Sequence, residues 1–223
     1  MSEPIYPSEL SLEDGVYLVR LARRSVEHYF EKGEMLRPSD APEKLMRPGA
    51  AFVTIEVFED YRHRSLRGCI GFIEPRDPLA ETVARVAVES AVSDPRFPPM
   101  SSAELDNVTF EVSVLSPLIP MPRTPEERLR SVKIGRDGLV AARGIYRGLL
   151  LPQVPVEYGW DPETFLSETC LKAGMPPHCW LDPDVEFYRY EARVFREKEP
   201  HGDVEERSLE EEFQQLWGRE KPP

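Results

Sequence analysis

The hexapeptide LRGCIG at residues 66–71 constrains the fold most, because it places two glycines inside a segment of strand-forming residues. Ile70, Phe72 and Ile73 favour a β-strand, and charge before the segment and Glu-Pro after it mark its ends. Glycine weakens a strand interior, since it packs no side chain and loses more chain entropy on folding. The sequence therefore predicts a strand whose glycines mark a bulge or the close approach of a ligand or backbone.

Cys69 lies between these glycines and is the first candidate for chemistry. Because side chains alternate along a strand, Arg67, Cys69 and Gly71 are predicted to share one face, with the first two Cβ atoms about 6.6 Å apart. A cation at that distance favours the thiolate, the reactive form of cysteine. Cys69 and Arg67 are therefore candidate catalytic residues, and Gly68 and Gly71 would let a substrate reach the sulfur. The alternative, a small packed core residue, stays open.

Hydrophobic periodicity predicts the remaining elements. Residues 51–58 alternate with apolar side chains on both faces, which predicts a central strand in a hairpin with LRGCIG. Further alternation predicts strands at 108–115 and 185–195. Strands outnumber helices and tight turns join several neighbours. The predicted fold is therefore α+β, mostly antiparallel sheet with flanking helices.

The first helix is predicted to begin at Ser11, with Asp14 in capping-box spacing, and to end at Gly33. Its charged residues Arg20, Arg23, Arg24 and Glu27 are predicted to face solvent. At the other end of the chain, Ser208 and Glu211 repeat the capping-box spacing. The helix that follows carries one apolar face and is predicted to dock on its own domain; the face consists of Leu209, Phe213, Leu216 and Trp217.

A proline-rich stretch at 117–125 is predicted to cross between subdomains. Residues 132–153 then predict a three-stranded meander that turns at Asp137-Gly138 and again at Arg143-Gly144. Gln153 follows between two prolines and could present its amide to a ligand or to a backbone group.

Composition limits the function. The chain has 223 residues and a net charge of −12, which argues against non-specific nucleic-acid binding. No apolar run approaches the ~18 residues that span a bilayer, and the first residues do not resemble a signal peptide, so a soluble cytoplasmic protein away from membranes is expected. Three cysteines, an odd number, do not predict a disulfide scaffold. The 23 prolines predict stiff loops, as in a thermophile.

Other groups of residues are less suited than Cys69 to carry chemistry. Cys170, His178 and Cys179 are close in sequence, but their spacing matches no common zinc site, so no metal is expected. Glycine-rich phosphate loops are also missing from the sequence, so no cofactor is predicted. The spacing of His63 and His178 pairs neither of them with Cys69.

A rigid loop with the sequence DPRFPPM at 94–100 contributes one more candidate. Its three prolines fix the backbone, so Arg96 and Phe97 are held in set directions. Phe97 is interpreted as a core residue. Arg96 either forms a structural ion pair with Asp94 or Glu104, or binds an anionic part of a substrate.

These motifs, in this order, resemble the AMMECR family, named after the Alport syndrome and midface hypoplasia candidate-region protein, in its archaeal or bacterial single-domain form. Residues 10–195 are covered. The matching segments besides LRGCIG are FVT at 52–54, DPRF at 94–97, VSVLSP at 112–117, GRDGL at 135–139, GLLLPQV at 148–154 and CLKAG at 170–174. Residues 61–64, YRHR, replace the shorter, glycine-containing turn that is usual in the family.

The resemblance implies a domain over residues 1–200, followed by a helical tail at 201–223. Within the domain it implies a larger α/β subdomain and a smaller one that contains residues 118–155, with a cleft between them. Members of the family are often fused to, or encoded beside, Memo-type and radical-SAM proteins. This association implies a shared pathway and makes those proteins candidate partners.

Two classes of function follow. The first is an enzyme that acts through Cys69 on a small molecule or a protein, with Gly68, Gly71, Arg96 and Gln153 as candidate substrate-binding residues. The second is a non-catalytic adapter that recognises a protein partner through the cleft or the C-terminal helix. A thiol pKa well below the ordinary value would favour the enzyme.

Overall fold

The chain folds into two compact units, described by a computed structural model for residues 3–61 and 63–218. The first unit runs to Pro117 and includes Arg193–Arg207, and the second comprises Leu118–Ala192 and the chain from Ser208 onward. Arg62 of the predicted YRHR turn and residues 219–223 of the predicted tail lie outside the described residues.

The helices are α1 Leu12–Lys32, α2 Leu79–Val92, α3 Pro125–Ser131, α4 Gln153–Tyr158, α5 Pro162–Lys172 and α6 Leu209–Trp217. The strands are β1 Ala50–Phe58, β2 Arg64–Phe72, β3 Val108–Leu115, β4 Ile119–Pro120, β5 Asp137–Arg143, β6 Tyr146–Leu150, β7 Glu186–Glu197 and β8 Val204–Arg207.

In the first unit the strand order is β2, β1, β3, β7, and β8 pairs with β7. β1 is antiparallel to both β2 and β3, so the predicted hairpin and the central position of β1 are confirmed. Val53, Ile55 and Val112 are fully buried in the core that also receives α1 and α2. The alternating residues Thr54 and Glu56 therefore lie on the sheet face opposite the helices. We call this the open face.

Helix α1 begins and ends as predicted. The Ser11 hydroxyl accepts a hydrogen bond from the Asp14 N–H, and the Asp14 carboxylate accepts one from the Ser11 N–H. This capping box satisfies backbone donors that a helix leaves unpaired at its start. Gly33 ends the helix with a φ of 74°, a left-handed conformation that glycine adopts without steric cost.

The prediction that Arg23 faces solvent is wrong. Its side chain is buried, and its Nε and Nη2 each donate to the Glu197 carboxylate at 2.6 Å. The guanidinium also donates to the carbonyls of Leu105 and Val108, and Glu197 accepts the Phe110 N–H. Helical periodicity marked Arg23 as polar, but it does not show that β7 brings a carboxylate to this face of the helix.

In the second unit, β5 pairs antiparallel with β6 on one side and with the first half of β7 on the other, and β4 pairs with β7. The hairpin between β5 and β6 turns at Gly144, as predicted, with a φ of 59°. The predicted turn at Asp137-Gly138 is wrong, because these residues begin β5. The buried Asp137 carboxylate accepts the Lys133 N–H at 2.8 Å and fixes the preceding turn. The segment contributes two strands, and β7 supplies the third.

The second unit also contains a buried cation that binds several backbone carbonyls. Arg128 of α3 is fully buried, and its guanidinium donates to the carbonyls of Pro122, Trp180 and Val185. It also lies 4.7 Å from the centre of the Phe187 ring. Neutral carbonyls therefore solvate this charge, and they come from segments that must stay in place around it.

Cys170 and Cys179 form a disulfide, which the odd cysteine count did not predict. Cys170 is on α5, and Cys179 precedes Trp180, whose carbonyl binds Arg128. Both cysteines are buried in the core of the second unit. The bond therefore fixes the loop that leads from α5 to the carbonyls around Arg128.

The predicted tail is divided between the units. Residues 204–207 form β8 of the first unit, whereas α6 belongs to the second. Leu209 is buried, and the Trp217 Nε1–H donates to the Val156 carbonyl at 2.7 Å. Docking of this helix on its own chain is therefore observed. None of the described helices is long and apolar enough to cross a membrane.

Reduction of the disulfide is expected to destabilise the second unit. A closed loop of this length contributes roughly 2–3 kcal/mol in the chain-entropy model. We expect dithiothreitol to lower the melting temperature, as should Cys170→Ser together with Cys179→Ser. Cys69→Ser is the matched control and should keep the response to dithiothreitol. A double variant that melts like the reduced wild type supports the assignment, and one that melts like the oxidised protein contradicts it.

Deletion of the chain after Arg207 should also lower the melting temperature, because it removes α6 and leaves β8 intact. Burial of a Leu or Trp side chain stabilises by roughly 1.5–3 kcal/mol. Trp217→Ala should reproduce part of the effect, whereas the exposed neighbour Gln215→Ala should not. An unchanged melting curve for the truncated protein would show that the helix contributes nothing to the fold.

Candidate functional site around Cys69

The backbone of Cys69 is held by the loop that follows α2. Its N–H donates to Asp94 Oδ2 at 2.8 Å, and its carbonyl accepts from Arg96 Nη2 at 3.2 Å. Arg96 is joined to the same carboxylate by two hydrogen bonds, from Nε at 2.9 Å and from Nη2 at 2.6 Å. Asp94 and Arg96 thus bind the β2 backbone as a unit, and the structural alternative for Arg96 is observed.

Asp94 is buried and remains ionised over a wide pH range. The hydrogen bonds from Arg96 are the largest influence on its carboxyl and, with the Cys69 N–H, lower its pKa to about 2 against the opposing effect of burial. About half of the Arg96 side chain is exposed. Arg96 therefore presents part of its guanidinium to solvent while its charge is balanced by Asp94.

The two glycines of LRGCIG accommodate the protein's own atoms. A Cβ on Gly68 would lie 2.0 Å from the Ser90 carbonyl oxygen of α2. A Cβ on Gly71 would lie 2.3 Å from the Phe52 ring. The Ser90 hydroxyl completes this contact, since it accepts the Ile70 N–H and donates to the Val53 carbonyl, both at 2.8 Å. The close approach predicted from the glycines is thus made by the α2 backbone at Gly68 and by the Phe52 ring at Gly71.

A register shift in β2 lies at Arg67. Ile55 pairs with Gly68 and Glu56 pairs with Leu66, so the bulge leaves Arg67 without a partner on β1. Arg67 Nε donates to Glu104 at 2.8 Å. The cation–thiol pair expected from an uninterrupted strand is not observed, because Arg67 lies at a bulge and pairs with Glu104.

Phe97 lies beside both arginines of this region. Its ring centre is 5.9 Å from the Arg67 guanidinium and 5.6 Å from that of Arg96, and the residue is half-buried. Phe97 therefore packs against charged groups. Its interpretation as a residue of the apolar core is wrong.

The Cys69 thiol is not activated in this structure. The residue is half-buried, and the Thr54 hydroxyl donates to its Sγ at 3.3 Å. Burial raises the pKa of the thiol to about 11, although Thr54 and the charge of Arg96 act in the opposite direction. At neutral pH the thiol is protonated. The expected lowering by Arg67 is wrong in sign, because loss of hydration outweighs the nearby cations.

Sequence reasoning missed the polar row in which Cys69 stands. Thr54 on β1 is opposite Cys69 on one side and opposite Glu111 on β3 on the other. The Glu111 carboxylate accepts from Arg207 Nη1 at 2.8 Å, and both side chains are 5% exposed. One cross-strand row therefore carries a thiol, a hydroxyl and a buried ion pair. The available signal was the polar alternation of Thr54, Glu56 and Glu111 within strands of otherwise apolar residues.

The remaining candidates are separate from this row. Gln153 is buried at the start of α4 in the second unit. His63 contacts Asp60 at 2.8 Å in the turn before β2. Within residues 3–61 and 63–218, no three His, Cys, Asp or Glu side chains are placed to hold a metal ion.

Comparison with known proteins places this chain in a family. The AMMECR1 family model matches residues 19–195. A Thermococcus gammatolerans protein is 50% identical over 198 residues, which cover 88% of this chain and 97% of that one. An Aeropyrum pernix protein is 51% identical over 211 residues, covering 92% and 88%. The crystal structure of the uncharacterised protein PH0010 from Pyrococcus horikoshii superposes with a TM-score of 0.85 at 49% identity, covering 88% of this chain and 97% of that one.

Asp94→Asn should destabilise the protein in a pH-dependent manner. Because the folded pKa of Asp94 is about 2, below the unfolded value, the carboxylate stabilises the fold above the unfolded pKa. This contribution is lost as pH falls through about 2. We expect a loss of about 2 kcal/mol at pH 7, measured by urea unfolding, that shrinks towards pH 2. The exposed Asp184→Asn is the control. A pH-independent difference would show that the charge of Asp94 does not stabilise the fold.

Proposed function

Because the chain belongs to the AMMECR1 family, we propose that it handles a substrate at a cysteine-centred site on the open face of the first unit, in a pathway shared with Memo-type and radical-SAM proteins. The observation that carries the proposal is the half-buried Cys69 thiol in the same cross-strand row as the buried Glu111–Arg207 pair, with Thr54 between them. Cys69 is the free cysteine of the chain, since the other two are bonded to each other.

Buried charge supports a functional role for this face. Removing an ion pair from water costs several kcal/mol per ion, and apolar residues of similar volume often give an equal or higher stability. The open face nevertheless carries Glu56, Glu111 and Arg207, all largely buried. Clusters of titratable groups in such surroundings are typical of functional sites.

The protonated state of the Cys69 thiol requires that substrate binding precedes any covalent step. A thiol with a pKa of about 11 has little thiolate at neutral pH, and the thiolate is the nucleophile. A substrate must therefore bind while the thiol is protonated. Any covalent step would then require that binding changes the surroundings of the sulfur, for example by placing a cation beside it. The substrate is a small molecule or a segment of a protein.

A non-catalytic adapter is the second candidate, and α6 favours it. Leu216 is 59% exposed and Trp217 is 49% exposed on the same short helix. Exposed apolar side chains of this kind contribute to protein interfaces. An adapter would bind a purified Memo-type or radical-SAM protein equally well after Cys69→Ala and would lose binding after Leu216→Asp. Loss of binding after Cys69→Ala and unchanged binding after Leu216→Asp would support the cysteine-centred site.

Alkylation of Cys69 tests the site directly. Iodoacetamide should label it slowly at pH 7, and the rate should rise roughly tenfold per pH unit until pH approaches 11, since the thiolate fraction rises in that way. Arg67→Ala should leave the profile unchanged, because Arg67 is bound to Glu104. The low-molecular-mass fraction of an extract from the source cells should slow labelling at pH 8. Fast labelling at pH 7 would show that the thiol is not protonated. An unchanged labelling rate at pH 8 in the presence of the extract would contradict a small-molecule site.

A further inference from the structure

A second carboxyl group lies on the same face as Cys69. Glu56 follows Thr54 by two residues on β1, so both side chains project from the open face. Glu111 is diagonal to it on β3, where Thr54 pairs with Glu111 and Glu56 with Thr109. The Glu56 side chain is 17% exposed. Two carboxyl groups and a thiol therefore surround Thr54.

The cations around Glu56 are engaged with other groups. Arg207 binds Glu111 at 2.8 Å, and Arg196 binds Glu205 at 3.0 Å. Arg64 is 3.9 Å from the Glu56 carboxylate, but its shorter hydrogen bonds go to the carbonyls of residues 197 and 198 and to the Thr109 hydroxyl. In the described parts of the chain, Glu56 accepts no hydrogen bond within 3.5 Å. Glu111 is thus hydrogen-bonded to its cation, whereas Glu56 has only the longer contact with Arg64.

We propose that Glu56 is the proton-exchanging carboxyl group of the Cys69 site, with Glu111 as its neighbour in an ion pair with Arg207. This inference rests on the function proposed above. Burial raises the pKa of Glu56, and the negative charge of Glu111 raises it further, whereas Arg207, Arg64 and Arg196 act in the opposite direction. A carboxyl group that holds its proton to a higher pH than an ordinary glutamate can serve as an acid towards a bound ligand.

The proton balance follows from the geometry. Protonated Glu56 donates its O–H proton to an oxygen or nitrogen atom of the bound substrate, and its O–H bond breaks as the new bond forms. The carboxylate that remains lies 3.9 Å from Arg64, which compensates the new charge. Glu56 recovers a proton from water when the product leaves. The site therefore fits a ligand that presents a basic oxygen or nitrogen to the open face, next to the Cys69 sulfur.

A carbon-13 NMR titration of the glutamate side-chain carboxyls tests the charge state. One resonance should titrate above the ordinary glutamate value of about 4.3 and should disappear in Glu56→Gln. Glu59→Gln, in the exposed turn after β1, is the matched control and should leave that resonance in place. If Glu56→Gln does not fold, backbone-linked assignment in the wild-type protein identifies the same resonance. A Glu56 carboxyl that titrates normally overturns the proposal.

Protection of Cys69 from iodoacetamide tests the role in binding. In the wild type, protection by the low-molecular-mass extract should fall about tenfold per pH unit above the Glu56 midpoint, because the protonated fraction falls in that proportion. In Glu56→Gln, protection should not change with pH. An identical pH dependence in both proteins overturns the role of Glu56 but leaves the Cys69 site intact. Absence of protection in the wild type at every pH overturns the small-molecule site at Cys69 and, with it, the role of Glu56 in that site.

Discussion

The buried pair of Arg23 and Glu197 holds the first unit together. Arg23 comes from α1, and Glu197 ends β7, while the Phe110 N–H and the Val108 carbonyl of β3 complete the hydrogen bonds of the pair. Removal of one partner from such a pair costs about 3–5 kcal/mol, because the other charge is left buried. The pair fixes β3 and β7, and β3 carries Glu111 into the row that contains Cys69.

Local patterns were sufficient where a feature depends on neighbouring residues. The capping box at Ser11, the left-handed stop at Gly33 and the turn at Gly144 are short-range signals, and each is observed. Alternation also predicted the hairpin of β1 and β2. These features could be predicted because the chain satisfies them within a few residues or within one pair of strands.

Features that depend on distant segments could not be predicted. The environment of Arg23 depends on a carboxylate 174 residues away. The position of Arg67 depends on a register shift that appears only when β2 pairs with β1. The pKa of Cys69 depends on how much water the fold removes around the thiol, and the sequence does not show this. The motif therefore identified the region of the candidate site, whereas the ionisable groups around it came from the cross-strand pairing.

The side chains that hold the Cys69 backbone have a consequence for solubility. β2 is the outer strand of its sheet, and an outer strand can add a strand from another molecule and so begin aggregation. Asp94 and Arg96 occupy the N–H and carbonyl of Cys69 and take the place of such a strand. The arginine also leaves charge at the border of the sheet, which disfavours a flat apolar contact. The loop after α2 thus protects the sheet edge as well as positioning the cysteine.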